Sequence, residues 1–243
     1  MWNEIILAII QGATEFLPIS SSGHLVLYSV LFSEQDLFLF TALHFASLLA
    51  VLIFLRKEIA SLLSFRGEYK PMWVYLLVAT IPAALVGYFI SNFAEEVFSN
   101  LLFVGIGFLF TGAFLFLTKF SFPRSSLNLK NSLMIGLVQV LALFPGISRS
   151  GVTISTGIFT GLERKRAIKF SFLLFIPLAL GAFIKESVRF VFSWSLMVAL
   201  LVCFVLSYVF LMLVYKIVEK NYFWMFSIYC FIIGLASLLI YFL

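Results

Sequence analysis

The stretch Phe144 to Thr153 reads F-P-G-I-S-R-S-G-V-T and sets one arginine, Arg149, among serines and glycines, with apolar sequence on both sides. A charge in such surroundings is costly and marks function by default. A second stretch, Phe16 to His24, reads F-L-P-I-S-S-S-G-H and looks like its partner. Each stretch leads into a short helix, at Ser22-Gly23 and at Ser150-Gly151. Helix N-termini offer unpaired N–H groups and the positive end of a dipole, so they favour anions. Arg149 adds a forked, permanently charged donor set that suits phosphate oxygens. Ser20, Ser21, Ser22, Ser148, Ser150 and Thr153 supply hydroxyls, and Gly146 and Gly151 let the backbone approach a ligand. The chemistry these residues fit is the binding of an oxyanion.

The first stretch adds groups that can react. Gln11 and Glu15 are four residues apart, hence on one helix face. Glu15 can hold a divalent cation, with Gln11 beside it, or act as a base. His24 can move a proton near neutral pH. A carboxylate, hydroxyls, an imidazole and an arginine around one anion point to phosphoryl transfer or hydrolysis, with Arg149 stabilising charge on the transferring group. Each residue also has a plainer role. The serines can bond locally to backbone, His24 can satisfy a buried carbonyl, and Arg149 can pair structurally with Glu15. His44, in the middle of an apolar run, reads as a polar packing residue rather than a catalytic one.

The elements that must position these groups are membrane helices. The chain of 243 residues is 63% hydrophobic and 11% charged, with a mean hydropathy of +1.14. A soluble domain carries about twice that charge. Alternating patterns of a membrane barrel are absent, so the spans are helical. The net charge of +5 is spread over short loops, which fits the orientation of a membrane protein and not nucleic-acid binding. Cys203 and Cys230 sit in apolar runs without metal-ligand spacing and read as packing residues. Met1-Trp2-Asn3-Glu4 has no basic region, so no removable signal peptide is expected.

Residues 2–33 form two short helices, about 2–17 and 24–33, broken at Pro18 and the serine run. Ten helical residues rise only about 15 Å, so the pair reads as a re-entrant hairpin. Spans follow at 37–55, 71–91 and 97–118, with a basic loop at 56–70 and possible close helix approach at Gly105, Gly107 and Gly112. After the polar connection from Lys119 to Lys130 the pattern restarts. Residues 131–162 are a second hairpin, closed by Glu163 to Arg166, and spans follow at 168–184, 190–215 and 222–243. An offset of 128 residues lays Gln11, Phe16, Ile19, Ser20, Ser22 and Gly23 on Gln139, Phe144, Ile147, Ser148, Ser150 and Gly151, six identities in thirteen positions.

The fold class is therefore an all-α polytopic membrane protein built as an inverted repeat. Residues 1–118 and 131–243 are the halves of one membrane domain, each a re-entrant hairpin plus three spans. The loops at 56–70, 119–130, 163–169 and 216–221 hold every Lys and Arg except Arg149, Lys185 and Arg189. They should share the cytoplasmic side, opposite Glu34, Asp36, Glu95 and Glu96, with both termini outside. The run Glu163 to Lys169 reads as a solvated loop.

At the two tips the sequence resembles the undecaprenyl pyrophosphate phosphatases, the BacA-type bacitracin-resistance family. Gln11-Gly12-Ala13-Thr14-Glu15 resembles the family's E/Q-x-x-x-E motif and runs into Phe16-Leu17-Pro18-Ile19-Ser20-Ser21-Ser22-Gly23-His24, similar to F-L-P-[VI]-S-S-[ST]-G-H. Pro145 to Thr153 resembles P-G-x-S-R-S-x-x-T, with weaker echoes at Ile81-Pro82-Ala83 and Phe170 to Leu174. The resemblance implies hydrolysis of undecaprenyl pyrophosphate to undecaprenyl phosphate, which recycles the lipid carrier of peptidoglycan synthesis and confers bacitracin resistance. It also implies a bacterial plasma-membrane location and a divalent cation, Mg²⁺ or Ca²⁺. By position, Glu15 matches the essential glutamate, Ser21 the proposed nucleophile, His24 the histidine and Arg149 the arginine. Gln11 departs from the glutamate of many members, which weakens that metal ligand, and Lys169 stands where some members carry glutamate.

The expected partners are a polyprenyl pyrophosphate and membrane lipids, with monomer and homodimer both open. In the expected mechanism Arg149 and the Ser148–Gly151 amides grip the terminal phosphate. Glu15 and Gln11 hold the cation or activate Ser21, and His24 exchanges protons. Attack by Ser21, by His24 or by a metal-bound water are three open routes. The rival function is a polyprenyl-phosphate flippase using the same anion site, since secondary transporters share this architecture. A structural scaffold is a third reading, against which a buried Arg149 argues.

Overall fold

The structure, a computed structural model, describes residues 2–32, 37–64, 70–90, 100–186 and 193–243. Among the described residues all regular structure is helical. In order these are α1 (Trp2–Thr14), α2 (Ser21–Phe32), α3 (Leu37–Phe54), α4 (Arg56–Leu63), α5 (Met72–Ile90) and α6 (Leu101–Leu117). Then come α7 (Leu129–Gln139), α8 (Arg149–Phe159), α9 (Arg164–Glu186), α10 (Trp194–Glu219) and α11 (Phe226–Phe242). Among the described residues five helices are long and apolar enough to cross a membrane, and a sixth span is present if Phe38–Phe54 and Arg56–Leu63, bent by 75°, count as one. The protein is an all-α polytopic membrane protein.

The boundaries differ from the sequence reading where charged residues meet helix ends. Residues 56–63, expected as loop, form α4, which carries Arg56, Lys57 and Glu58 on its exposed and half-buried faces. The run from Arg164, expected as loop, is the first turn of α9, whose Arg166 and Ala167 amides donate to the Glu163 carbonyl. Ion pairs tie these basic ends together: Lys169 Nζ lies 2.6 Å from Glu58 Oε1, and Lys165 Nζ lies 2.7 Å from Glu219 Oε1. Ser125 Oγ donates to the Thr160 carbonyl at 2.7 Å, so the start of the second hairpin and the end of α8 join the same face.

The start of α1 lies at the other end of the bundle. Glu4 accepts a hydrogen bond from Ser195, at the start of α10, whose far end carries Glu219. Tyr28 Oη donates to Asn3 Oδ1 at 3.0 Å, so α2 returns to the level where α1 began. The pair is a hairpin and not a span. The acidic-loop residues Glu34, Asp36, Glu95 and Glu96, with Arg189 and the side chain of Lys185, lie outside the described residues.

Small residues let the helices close around the tips. α1 packs on α10 and α7 on α5, at Gly12 against the Cys203 carbonyl and at Gly136 against Ala79. Cys203 and Cys230 are buried and free, as packing residues should be. Gly105 of α6 meets Gly234 of α11, and Gly107 receives the second tip. A methyl group on Gly107 would stand 2.3 Å from the Pro145 carbonyl oxygen. Because that contact is backbone, Gly107→Ala must displace the tip. It should lower stability by roughly 1–3 kcal/mol, as overpacking does, measured by thermal unfolding in detergent; an unchanged midpoint would contradict the packing described.

Candidate functional site

The two tips are built alike. Ser20 and Ser148 are the N-caps of α2 and α8. Ser20 Oγ accepts the Gly23 amide at 3.2 Å, and Ser148 Oγ accepts the Gly151 amide at 3.0 Å. In each tip the cap hydroxyl also lies 3.2 Å from the serine two residues on, Ser22 or Ser150. Ser20 adopts a left-handed backbone, with φ of 63°, and Gly146 does so at φ of 84°. The tips touch: Ser150 Oγ donates to the Leu17 carbonyl at 3.2 Å. Thr111 braces the second tip, donating to the Gly146 carbonyl and accepting the Ser148 amide, both at 3.0 Å.

Glu15 stands where the tips meet and is almost fully buried, with 7% of its surface exposed. Its Oε2 accepts from Ser21 Oγ at 2.6 Å and from Gln11 Nε2 at 2.8 Å. Its Oε1 accepts from Arg149 Nη2 at 3.0 Å. Arg149 is held on two further sides. Nη1 donates to the Ser171 carbonyl at 3.2 Å, and the guanidinium lies 4.3 Å from the centre of the Phe175 ring. Ser171 Oγ lies 2.6 Å from Thr153 Oγ1, which donates to the Arg149 carbonyl at 2.7 Å. The echo at Phe170 to Leu174 is therefore the segment that fixes the arginine.

His44 belongs to this cluster, which corrects its reading as a packing residue. Its Nδ1 donates to the Phe40 carbonyl at 2.8 Å, and its Nε2 lies 3.4 Å from Glu15 Oε2. With about a third of its side chain exposed, it is the more open neighbour of a closed carboxylate. His24 is placed differently. Its Nδ1 faces the Ser20 carbonyl and its Nε2 the hydroxyl of Tyr229, each at 2.7 Å. Neither His44 nor Tyr229 carries a local sequence signal, because each meets its partner only through the fold.

A cavity of about 360 Å³ opens elsewhere, among Phe114, Met134, Val138 and Phe159, and none of these site residues lines it. The groups at the tips are bonded to one another, so a ligand enters by exchanging partners. Arg149 and Glu15 provide that exchange: a phosphate can take the guanidinium from the carboxylate.

Over residues 4–236 the chain matches the family described as bacitracin resistance protein BacA. The chain belongs to that family. It is 40% identical to the undecaprenyl-diphosphatase of Thermosipho africanus, covering 97% of this chain and 98% of that protein. It is 36% identical to the undecaprenyl-diphosphatase of Korarchaeum cryptofilum, covering 96% and 97%, and 40% identical to that of Thermosipho melanesiensis, covering 96% and 97%.

In this BacA-family chain, several residues expected at the phosphate have partners within the tips. The amides of Gly151, Ser148 and Gly23 already donate to side-chain oxygens, and Gly146 makes a turn against α6. Ser20, Ser148, Ser150 and Thr153 shape the tips in the same way. Arg149 is the charged donor among these tip residues, with Ser22, half-buried, beside the first cap. In the unfolding of detergent-solubilised protein, Glu15→Gln and Arg149→Met should be coupled by roughly 0.5–3 kcal/mol in a double-mutant cycle. Additive effects would contradict their direct pairing.

Proposed function

We propose that the protein hydrolyses undecaprenyl diphosphate to undecaprenyl phosphate and phosphate. The observation that carries this reading is a single carboxylate, Glu15, bonded to the Ser21 hydroxyl at 2.6 Å and to the Arg149 guanidinium at 3.0 Å. The relatives named undecaprenyl-diphosphatase support it over nearly their whole length. A binding site alone needs the arginine. It has no need of a hydroxyl aimed at a base, which favours catalysis over lipid flipping.

The terminal phosphoryl group takes Arg149 from Glu15 Oε1, and the freed carboxylate accepts the Ser21 proton through Oε2. Ser21 Oγ then forms a bond to the terminal phosphorus while the bridging P–O bond breaks, and undecaprenyl phosphate leaves with that oxygen. Water attacks the phosphoserine and gives a proton to His24 Nε2 as the Ser21 Oγ–P bond breaks; the proton on Glu15 returns to Ser21, and His24 passes its proton to the departing phosphate. Arg149 stabilises the charge on the transferring group throughout. His44 orients Glu15 from its more open side.

A divalent cation fits this site only together with the substrate. No cluster of three or more His, Cys, Asp and Glu side chains suited to a metal is present among the described residues. Gln11 Oε1, however, is a buried oxygen without a hydrogen-bond partner, next to Glu15. Glu15 and Gln11 would hold Mg²⁺ or Ca²⁺, with diphosphate oxygens completing its shell, in the way Mg²⁺ is commonly shared with phosphates. Bound there, the cation supplies charge neutralisation to the diphosphate.

Three further points belong to the same reading. The two hairpins form inverted repeats entering from opposite faces, supported by the placement of Asn3 with Tyr28 and of Ser125 with Thr160. The face carrying Lys165, Lys169 and Arg56 is cytoplasmic in a plasma membrane, which leaves both termini outside. The activity recycles the lipid carrier of the cell wall and thereby opposes bacitracin.

Phosphate release from a long-chain polyprenyl diphosphate, with purified protein in detergent, tests the reading. Arg149→Ala should lower kcat by about 10²–10³, as lost oxyanion donors do, and EDTA should abolish release by the wild type. Near-normal turnover in Arg149→Ala would refute the assignment. His44→Leu should cost about tenfold in kcat/KM, the effect of removing one partner from a charged group; a packing role predicts no change.

A further inference from the structure

We propose that Tyr229 is a positioning residue for His24, holding the imidazole at Nε2, its acceptor nitrogen, until the diphosphate site takes that nitrogen over from the Tyr229 hydroxyl. The proposal deepens the phosphatase reading and rests on it.

The geometry sets the tautomer. His24 Nδ1 lies 2.7 Å from the Ser20 carbonyl, and a carbonyl only accepts, so Nδ1 carries the hydrogen. In the neutral ring Nε2 is then the acceptor, and Tyr229 Oη donates to it at 2.7 Å. The two rings are stacked, with centroids 5.7 Å apart and planes inclined by 13°. Phe108 closes the other side edge-on, with its ring centroid 5.1 Å away. Ring rotation about χ2 is therefore blocked on two sides and locked at both nitrogens.

Tyr229 reaches the tip through this hydrogen bond and the stacked ring. It sits on α11, and His24 sits on α2, three residues after Ser21. The carbonyl that completes the lock belongs to Ser20, whose left-handed backbone shapes the first tip. A buried histidine that only satisfied the Ser20 carbonyl would leave Nε2 to packing. Here Nε2 instead faces a hydroxyl on a residue at the surface of the bundle, 40% exposed, so an entering polar headgroup can take the bond over.

The test uses the full chain in detergent, with polyprenyl diphosphate as substrate. Tyr229→Phe keeps the stacked ring and removes only the hydroxyl. It should lower kcat about tenfold, the order of one hydrogen bond to a reacting group, with KM changed less than twofold. In a His24→Ala background the same substitution should have no further effect. Without substrate, ¹⁵N NMR of labelled histidine should show the Nδ1–H tautomer in the wild type and a shifted Nε2 resonance in Tyr229→Phe. An equal loss in both backgrounds would mean that Tyr229 acts without His24 and overturns the proposal, as would unchanged kcat or an unmoved Nε2 resonance. Wild-type protein that folds but releases no phosphate would sink the phosphatase reading itself, and this role with it.

Discussion

A carboxylate buried inside a membrane bundle needs its charge answered, and the structure is arranged around the answer given to Glu15. Four side chains surround it: Gln11 and Ser21 from its own hairpin, His44 from α3 and Arg149 from the second hairpin. Burying an unpaired ion would cost several kcal/mol, so the tips cannot separate without exposing that cost. The same pairing keeps Arg149 in place while leaving it exchangeable. A phosphate offers the guanidinium the same bidentate geometry as a carboxylate.

The repeated tips explain how such an arrangement is held by short segments. Each cap serine bonds an amide three residues on and a hydroxyl two residues on, so each turn carries its own local bonds beside its long-range ones. At the 128-residue offset, Ser21 corresponds to Arg149 and Glu15 to Leu143. Both members of the first pair reach the one carboxylate, from opposite tips. Two similar tips thus bring a hydroxyl from one and a guanidinium from the other to the same carboxylate. Packing completes the arrangement, with Phe16 edge-on to Phe172 and Phe175, each at 5.5 Å, and Phe175 beneath the guanidinium.

Much of this was legible in the chain because polar residues are rare in it. Glu15 and Arg149 stand out against apolar sequence, and the broken helices around Pro18 and Gly146 announce themselves through serine, proline and glycine. The spans at 71–91 and 222–243 were readable from length alone and lie at Met72–Ile90 and Phe223–Phe242. His44 was not readable: a histidine in the middle of a span looks the same whether it faces lipid, core or site, and its partner is in another helix. Tyr229 was hidden for the same reason, 205 residues from His24. Local polarity misled at residues 56–63 and at Arg164, where charged residues read as loop but lie in helices, whose ends Glu58, Lys165 and Lys169 tie down by ion pairs. A serine ahead of a glycine marks a helix start, but it does not say that the cap serine takes the Gly23 or Gly151 N–H for itself.

If Glu15 both restrains Arg149 and accepts the Ser21 proton, its neutral replacement must separate binding from chemistry. The decisive measurement is the dissociation constant for a polyprenyl diphosphate, taken beside kcat, for Glu15→Gln and wild type. With the cation chelated, so that Arg149 alone holds the diphosphate, the structure predicts binding that is retained or tighter, because the competitor for Arg149 has lost its charge. It also predicts a kcat lowered by about 10²–10⁴, the usual effect of losing a general base. A Glu15→Gln enzyme that turns over at the wild-type rate would contradict the account.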